Sequence, residues 1–162
     1  MIDQRETIVV GLGEMRVSRS PAAVLACLGL GSCVAVCAYD PVSKIGGMAH
    51  VVLPEFNGTG PSPKYANSAV PLLVQEMNKL GAPESRLVFK IAGGATISMV
   101  AGLNGAFRIG ERNVEATRIA LSRRGYFLKS ADVGGNCGRT VRLYLDSGKV
   151  AITSARQESR EI

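Results

Sequence analysis

Residues 33–53 read CVAVCAYDPVSKIGGMAHVVL, two apolar runs joined by a turn sequence. In 33–39, CVAVCAY, side chains of both parities are apolar, the pattern of a strand covered on both faces. In DPVS, Asp suits the first position of a tight turn and Pro the second. Residues 46–53 supply the returning strand, which Pro54 ends. With the turn centred between Pro41 and Val42, antiparallel partners follow one rule: 40 faces 43, 39 faces 44, and 33 faces 50. Directly opposed side chains share a face, with Cβ atoms roughly 4.5–5.5 Å apart. That register brings Cys33 to His50, the chain's single histidine. A turn displaced by one residue toward Lys44 is expected to undo the meeting, because side-chain parity flips with register.

Working outward, residues 7–19 alternate enough to form a strand, and 22–28 are a short apolar segment of either type. Residues 55–63, EFNGTGPSP, are rich in turn formers and read as a mobile loop. Apolar positions 69, 70, 73, 77 and 80 recur at helical spacing within 65–80, and Gly81 supplies a stop. Pro71 suits a first helical turn, which places the helix start later than Tyr65. LVFKIAGGA (87–95) is a strand ending in glycines. Residues 111–124 form a second helix with Val114, Thr117, Ile119, Ala120 and Leu121 as inner positions. Residues 126–133 make another strand, and RTVRLYL and GKVAITS pair through a DSG hairpin turn. The polar end, from about 155, is expected to fray. The pattern is α+β in one domain, 1–162, without repeats or a linker.

At 162 residues the chain can bury a core without disulfides or metal. Hydrophobic content of 46% with 20% charged residues is that of a globular protein, not a disordered one. No apolar run approaches the roughly 18 residues of a membrane helix. MIDQRETIVV lacks a basic-then-apolar leader, so cytoplasmic residence is the expectation. The four cysteines, at 27, 33, 37 and 137, form no CxxC pair, and their spacings are unlike those of zinc knuckles. No metal or cofactor is expected. Net charge is +6, but the positives are dispersed and aromatics are only 5%, so nucleic-acid binding is not expected. The dispersed positives read first as a solvated basic surface, with long-range attraction to an acidic protein partner as the functional alternative.

Free cysteine has a pKa near ~8.5, so a useful thiolate at neutral pH needs an adjacent base or cation. His50 is the one obvious base. Gly29, Gly31 and Ser32 precede the thiol, and small residues there let a substrate approach and leave backbone N–H groups for an oxyanion. Cys37 and Cys137 read as packed core cysteines. GLGLGS lacks the spacing of a dinucleotide fingerprint and leads into a strand, not a helix. Glu111, Arg112 and Asn113 either contact a partner or begin a helix.

At these residues the chain resembles the CheD family of chemoreceptor glutamine deamidases. The matches are LGLGSCVAV with its cysteine, D-x(5)-GGMAHVVLP with its histidine, YANSAVPLL, KIAGGA, IGERN and GGNCGRTVRLYLDSGKV. The resemblance implies a cysteine hydrolase of layered mixed β-sheets flanked by helices, similar to bacterial toxin-type cysteine deamidases. It implies glutamines on the cytoplasmic domains of chemotaxis receptors as substrates and the CheC phosphatase as a partner. Cys33 becomes the nucleophile and His50 the base. The family carries threonine six positions before the nucleophile as a third active-site member, and here that position is Cys27. A thiol is a weaker hydrogen-bonding group than a hydroxyl. Either Cys27 substitutes imperfectly, a backbone carbonyl orients His50, or activity falls; equally, Cys27 is an ordinary packed cysteine. Reduced activity keeps open a second expectation, a weakly active module that regulates CheC or receptors by docking.

Overall fold

The computed structural model describes residues 4–55, 58, 60–96, 108–155 and 157–162, with only the backbone described at Gln157. Its strands are β1 (Glu6–Val9), β2 (Met15–Ser18), β3 (Ala23–Leu30), β4 (Val34–Asp40), β5 (Ile45–Val51), β6 (Val88–Gly93), β7 (Phe127–Val133), β8 (Arg139–Tyr144), β9 (Val150–Ser154) and β10 (Gln157–Glu161). Two helices are described, α1 (Ala66–Lys79) and α2 (Ile109–Arg123). One sheet has the order β1-β3-β8-β9-β10 and the other β2-β5-β4-β6-β7. Both are mixed, since β1 runs parallel to β3 and β6 parallel to β7.

The apolar pattern dictates three layers. Odd-numbered β4 residues, Ala35 and Cys37, meet Leu25, Cys27, Met48, Val141, Leu143 and Ile152 between the sheets. Even-numbered Val34, Val36 and Ala38 meet Leu73, Met77 and Leu121 of the helices, with Phe89 and Ile91 of β6 beside them. Every residue of β4 and β5 is therefore buried, as the apolar character on both parities requires. Each Leu, Ile or Phe enclosed this way contributes roughly 1.5–3 kcal/mol. The sandwich thus carries helices on one outer face, and the α+β layered reading holds.

The hairpin register departs from expectation. Asp40 pairs with Ile45, Ala35 with His50 and Val34 with Val51, so the loop holds four residues and its centre lies one residue nearer Lys44. The cause is local. Asp40 Oδ1 accepts the Val42 N–H at 3.0 Å, Oδ2 accepts the Ser43 hydroxyl at 2.5 Å, and Lys44 donates to the Asp40 carbonyl. Lys44 closes the loop with φ of 58°, a left-handed conformation. Moving the centre by one residue moves every partner by two. Parity is therefore kept, contrary to the expected flip, and Cys33 and His50 stay on one face.

Asp40 also receives Arg86, whose Nη2 lies 2.7 Å from Oδ2 and whose Nε lies 3.1 Å from Oδ1. Burial pushes the Asp40 carboxyl up, but Arg86, Ser43 and the Val42 amide outweigh it and hold the pKa at about 2. A lowered folded-state pKa stabilises above the unfolded value of about 4, and the benefit is lost as pH falls from there through about 2. Asp40→Asn is expected to cost about 2 kcal/mol at neutral pH and to flatten the acid limb between those values. Thermal melting against pH checks this; an unchanged acid limb would contradict it.

Other differences have equally local reasons. Residues 7–19 are two strands in different sheets, because the chain turns at Gly11–Glu14, where Gly11 N–H bonds the Glu14 carboxylate at 3.0 Å. Pro71 sits inside α1 rather than at its start. Burial of Ala69, Val70, Leu73, Val74 and Met77 outweighs a proline cost of about 3 kcal/mol. Ile119 is 42% exposed, whereas Asn113 takes an inner position of α2. Residues 157–161 do not fray: they pair with β9, and Lys90 Nζ bonds the Ile162 carbonyl at 2.7 Å. In the expected mobile loop 55–63, residues 56, 57 and 59 lie outside the described residues.

Candidate active site

Cys33 occupies the position just before β4, and its side chain packs on the inter-sheet core while remaining partly exposed. His50 is opposite Ala35 in β5, so its ring points to the same inter-sheet face and is only 5% exposed. The ladder ends at the Val34–Val51 pair, and Cys33 lies one position beyond it, packed on the same inter-sheet face as His50.

The imidazole is fixed by a group that no side-chain motif announces. Nδ1 lies 2.9 Å from the carbonyl oxygen of Val10, in the turn between β1 and β2. A carbonyl only accepts, so Nδ1 carries the proton and Nε2 presents its lone pair. Nε2 is buried and makes no hydrogen bond among the described residues. The backbone of the same turn grips the histidine on both sides: Gly13 N–H donates to the His50 carbonyl at 3.0 Å, and His50 N–H donates to the Glu14 carbonyl at 2.9 Å. Both the tautomer and the ring position thus follow from one loop packing on the end of β5.

Cys27 lies in β3, fully buried between the sheets, and its thiol donates to Met48 Sδ at 3.4 Å. Burial, with the thiols of Cys37 and Cys33 nearby, pushes its pKa far up, so it stays protonated. Of the routes open from sequence, the backbone carbonyl is the one that holds a hydrogen bond to the ring. Cys37 is buried, and burial outweighs the opposing pull of Lys90 to bring its thiol to about 12. Cys137 is partly exposed and lines a cavity of about 400 Å³ with Asp132, Arg139 and Arg160, so it is not the core cysteine expected. Neither Cys33 nor His50 lines that cavity.

Burial raises the Cys33 thiol. No cation among the described residues works in the opposite sense, so the resting state is a thiol and its proton must go to a base during reaction. The segment before it is tightly held through its carbonyls. Ala95 N–H bonds the Gly31 oxygen at 2.9 Å, Gly94 N–H bonds the Cys33 oxygen at 2.8 Å, and Asn113 Nδ2 bonds the Ser32 oxygen at 2.9 Å. The N–H groups of Gly31, Ser32 and Cys33 meet no acceptor among the described residues. Three held carbonyls beside three available amides is an arrangement suited to an anionic oxygen.

Gly93 makes this approach possible. Its φ is +117°, and a Cβ there would overlap the Cys33 carbonyl oxygen. Gly93→Ala is expected to cost about 3 kcal/mol or more, through left-handed strain and displacement of the Cys33 peptide. A denaturant midpoint equal to that of the wild type would contradict this. Gly110 plays a related part, since a Cβ there would meet the carbonyls of Gly94 and Ala95. Its absence lets α2 approach the end of β6, close enough for Asn113 to reach the cysteine segment.

A family model described as CheD chemotactic sensory transduction matches residues 52–154. The chain is 43% identical over 165 residues to the probable chemoreceptor glutamine deamidase CheD of Symbiobacterium thermophilum, covering 99% of this chain and 100% of that protein. It is 48% identical over 145 residues to the chemoreceptor glutamine deamidase CheD of Thermotoga maritima, covering 89% of each chain. With the probable chemoreceptor glutamine deamidase CheD of Archaeoglobus fulgidus, identity is 44% over 150 residues, covering 92% of this chain and 94% of that one. The family model begins beyond Cys33 and His50, but the first of these alignments runs across both.

Proposed function

The chain belongs to the CheD family, and from that membership we propose that it is a chemoreceptor glutamine deamidase, with Cys33 as nucleophile and His50 as base. The observation that carries the residue assignment is the His50 ring, held at Nδ1 by Val10, with Nε2 unpaired among the described residues on the face it shares with Cys33.

Nε2 takes the Cys33 proton as Sγ attacks the side-chain carbonyl carbon of a receptor glutamine. The negative oxygen of the tetrahedral intermediate is received by the Ser32 and Cys33 amides. The imidazolium returns its proton to the departing nitrogen, ammonia leaves, and a thioester remains. His50 next takes a proton from water, hydroxide attacks the thioester carbon, and the C–S bond breaks with the proton returned to sulfur. Glutamate is the product. The Val10 carbonyl accepts from Nδ1–H throughout and steadies the imidazolium. Cys27 lends packing to the floor of the site.

The substrate is carried on the cytoplasmic domain of a receptor, and docking with the CheC phosphatase belongs to the same reading. Among the described residues no helix is long and apolar enough to cross a membrane, which suits a cytoplasmic enzyme acting on a receptor anchored elsewhere. The test is mass spectrometry of a receptor cytoplasmic fragment incubated with the protein. The small mass gain of an amide becoming an acid is expected at particular glutamines, blocked by prior thiol alkylation. Fragments that keep every amide, across the receptors of the same cell, would overturn the proposal.

A further inference from the structure

From sequence, Asn113 reads either as a partner contact or as part of a helix start. In the structure it is wholly buried, and its amide nitrogen donates to two carbonyls at once, Ser32 at 2.9 Å and Val52 at 2.9 Å. The first belongs to the residue before Cys33 and the second lies two residues after His50. Asn113 Oδ1 has no partner among the described residues, so the side chain acts through its two donors. Thr117 bonds the Asn113 carbonyl at 2.7 Å and braces the turn of α2 that carries it.

The Ser32 carbonyl and the Cys33 N–H belong to one peptide unit. No cis peptide occurs among the described residues, so the two groups point in opposite directions within a plane. Holding the oxygen toward α2 therefore fixes the direction of the Cys33 N–H, away from the helix, where it meets no described acceptor. We propose that Asn113 is a positioning residue: it aims the Cys33 amide as the oxyanion donor and, through Val52, ties that amide to the strand bearing His50. This rests on the deamidase reading for its catalytic consequence, but not for its geometric one.

The experiment has two arms, each using the full chain with Asn113→Ala and, should that variant not fold, Asn113→Asp, which keeps the shape. In the first, the carbonyl carbon signals of Ser32 and Val52 and the amide signal of Cys33 are followed by NMR. All three are expected to move together. Unmoved signals would overturn the proposal whether or not the wild type proves to be a deamidase. In the second, ammonia release from a receptor fragment is measured beside the rate of Cys33 alkylation by iodoacetamide. Positioning of an oxyanion donor predicts kcat lower by about 10–100-fold with KM within about twofold. Alkylation, which forms no oxyanion, is expected to stay within about threefold of wild type. A kcat like that of the wild type, a loss confined to KM, or alkylation slowed as much as kcat would each overturn it. Absent turnover in the wild type would instead overturn the deamidase reading and leave the first arm to decide.

Discussion

Cys33→Ala is expected to end ammonia release from a chemoreceptor fragment, lowering turnover on the order of 10⁴-fold or more. The reasoning is chemical: the thioester needs the sulfur, and no other described cysteine can replace it. Cys27 and Cys37 are buried with their thiols pushed up, Cys27 is spent on Met48, and Cys137 lines a cavity that excludes His50. Cys33 itself is only partly buried, so losing its sulfur is expected to change stability by less than about 1 kcal/mol. An inactive protein that melts with the wild type is the predicted outcome. Retained turnover in Cys33→Ala would remove the nucleophile from the account.

His50→Gln is expected to lose nearly as much, about 10³-fold or more, because in the proposed mechanism the same ring accepts the thiol proton and delivers it to the departing nitrogen. Glutamine keeps much of the bulk of a residue that is only 5% exposed, so the effect is not one of an emptied core. Its signature is in pH. Burial holds the Cys33 thiol above its ordinary range, and without the imidazole its proton can leave only to solvent base. Alkylation of Cys33 in the variant is therefore expected to be slow at neutral pH and to rise through and beyond about pH 8.5, narrowing the gap from wild type. Equal rates at neutral pH in both proteins would show that His50 does not assist the sulfur.

What the sequence disclosed follows from where its information lies. An apolar run on both parities has one economical explanation, a strand between two layers, and 33–39 is such a strand. The register is subtler. DPVS signals a turn, but the loop closes at four residues because Asp40 caps it through Val42 and Ser43 and Lys44 accepts a left-handed backbone. Neither follows from residue type alone, and only the two-residue step of antiparallel pairing kept positions 33 and 50 on one face of the hairpin. The partner of His50 was illegible for a different reason. Val10 contributes a carbonyl, which every residue possesses, and the fold alone selects which one arrives. Asn113 lies in IGERN, where polar residues at a helix start ordinarily face water; a glycine three positions earlier was the one hint that the helix begins against another backbone.

The central claim, that the Cys33 sulfur becomes acylated by the receptor glutamine, is tested most directly by quenching the wild-type reaction in acid within its first turnover and mapping the enzyme by mass. The account predicts a receptor fragment joined at the Cys33 peptide, lighter than the sum by one ammonia and released by hydroxylamine. Glutamate formed in that same turnover, with the Cys33 peptide recovered wholly unmodified, would contradict it.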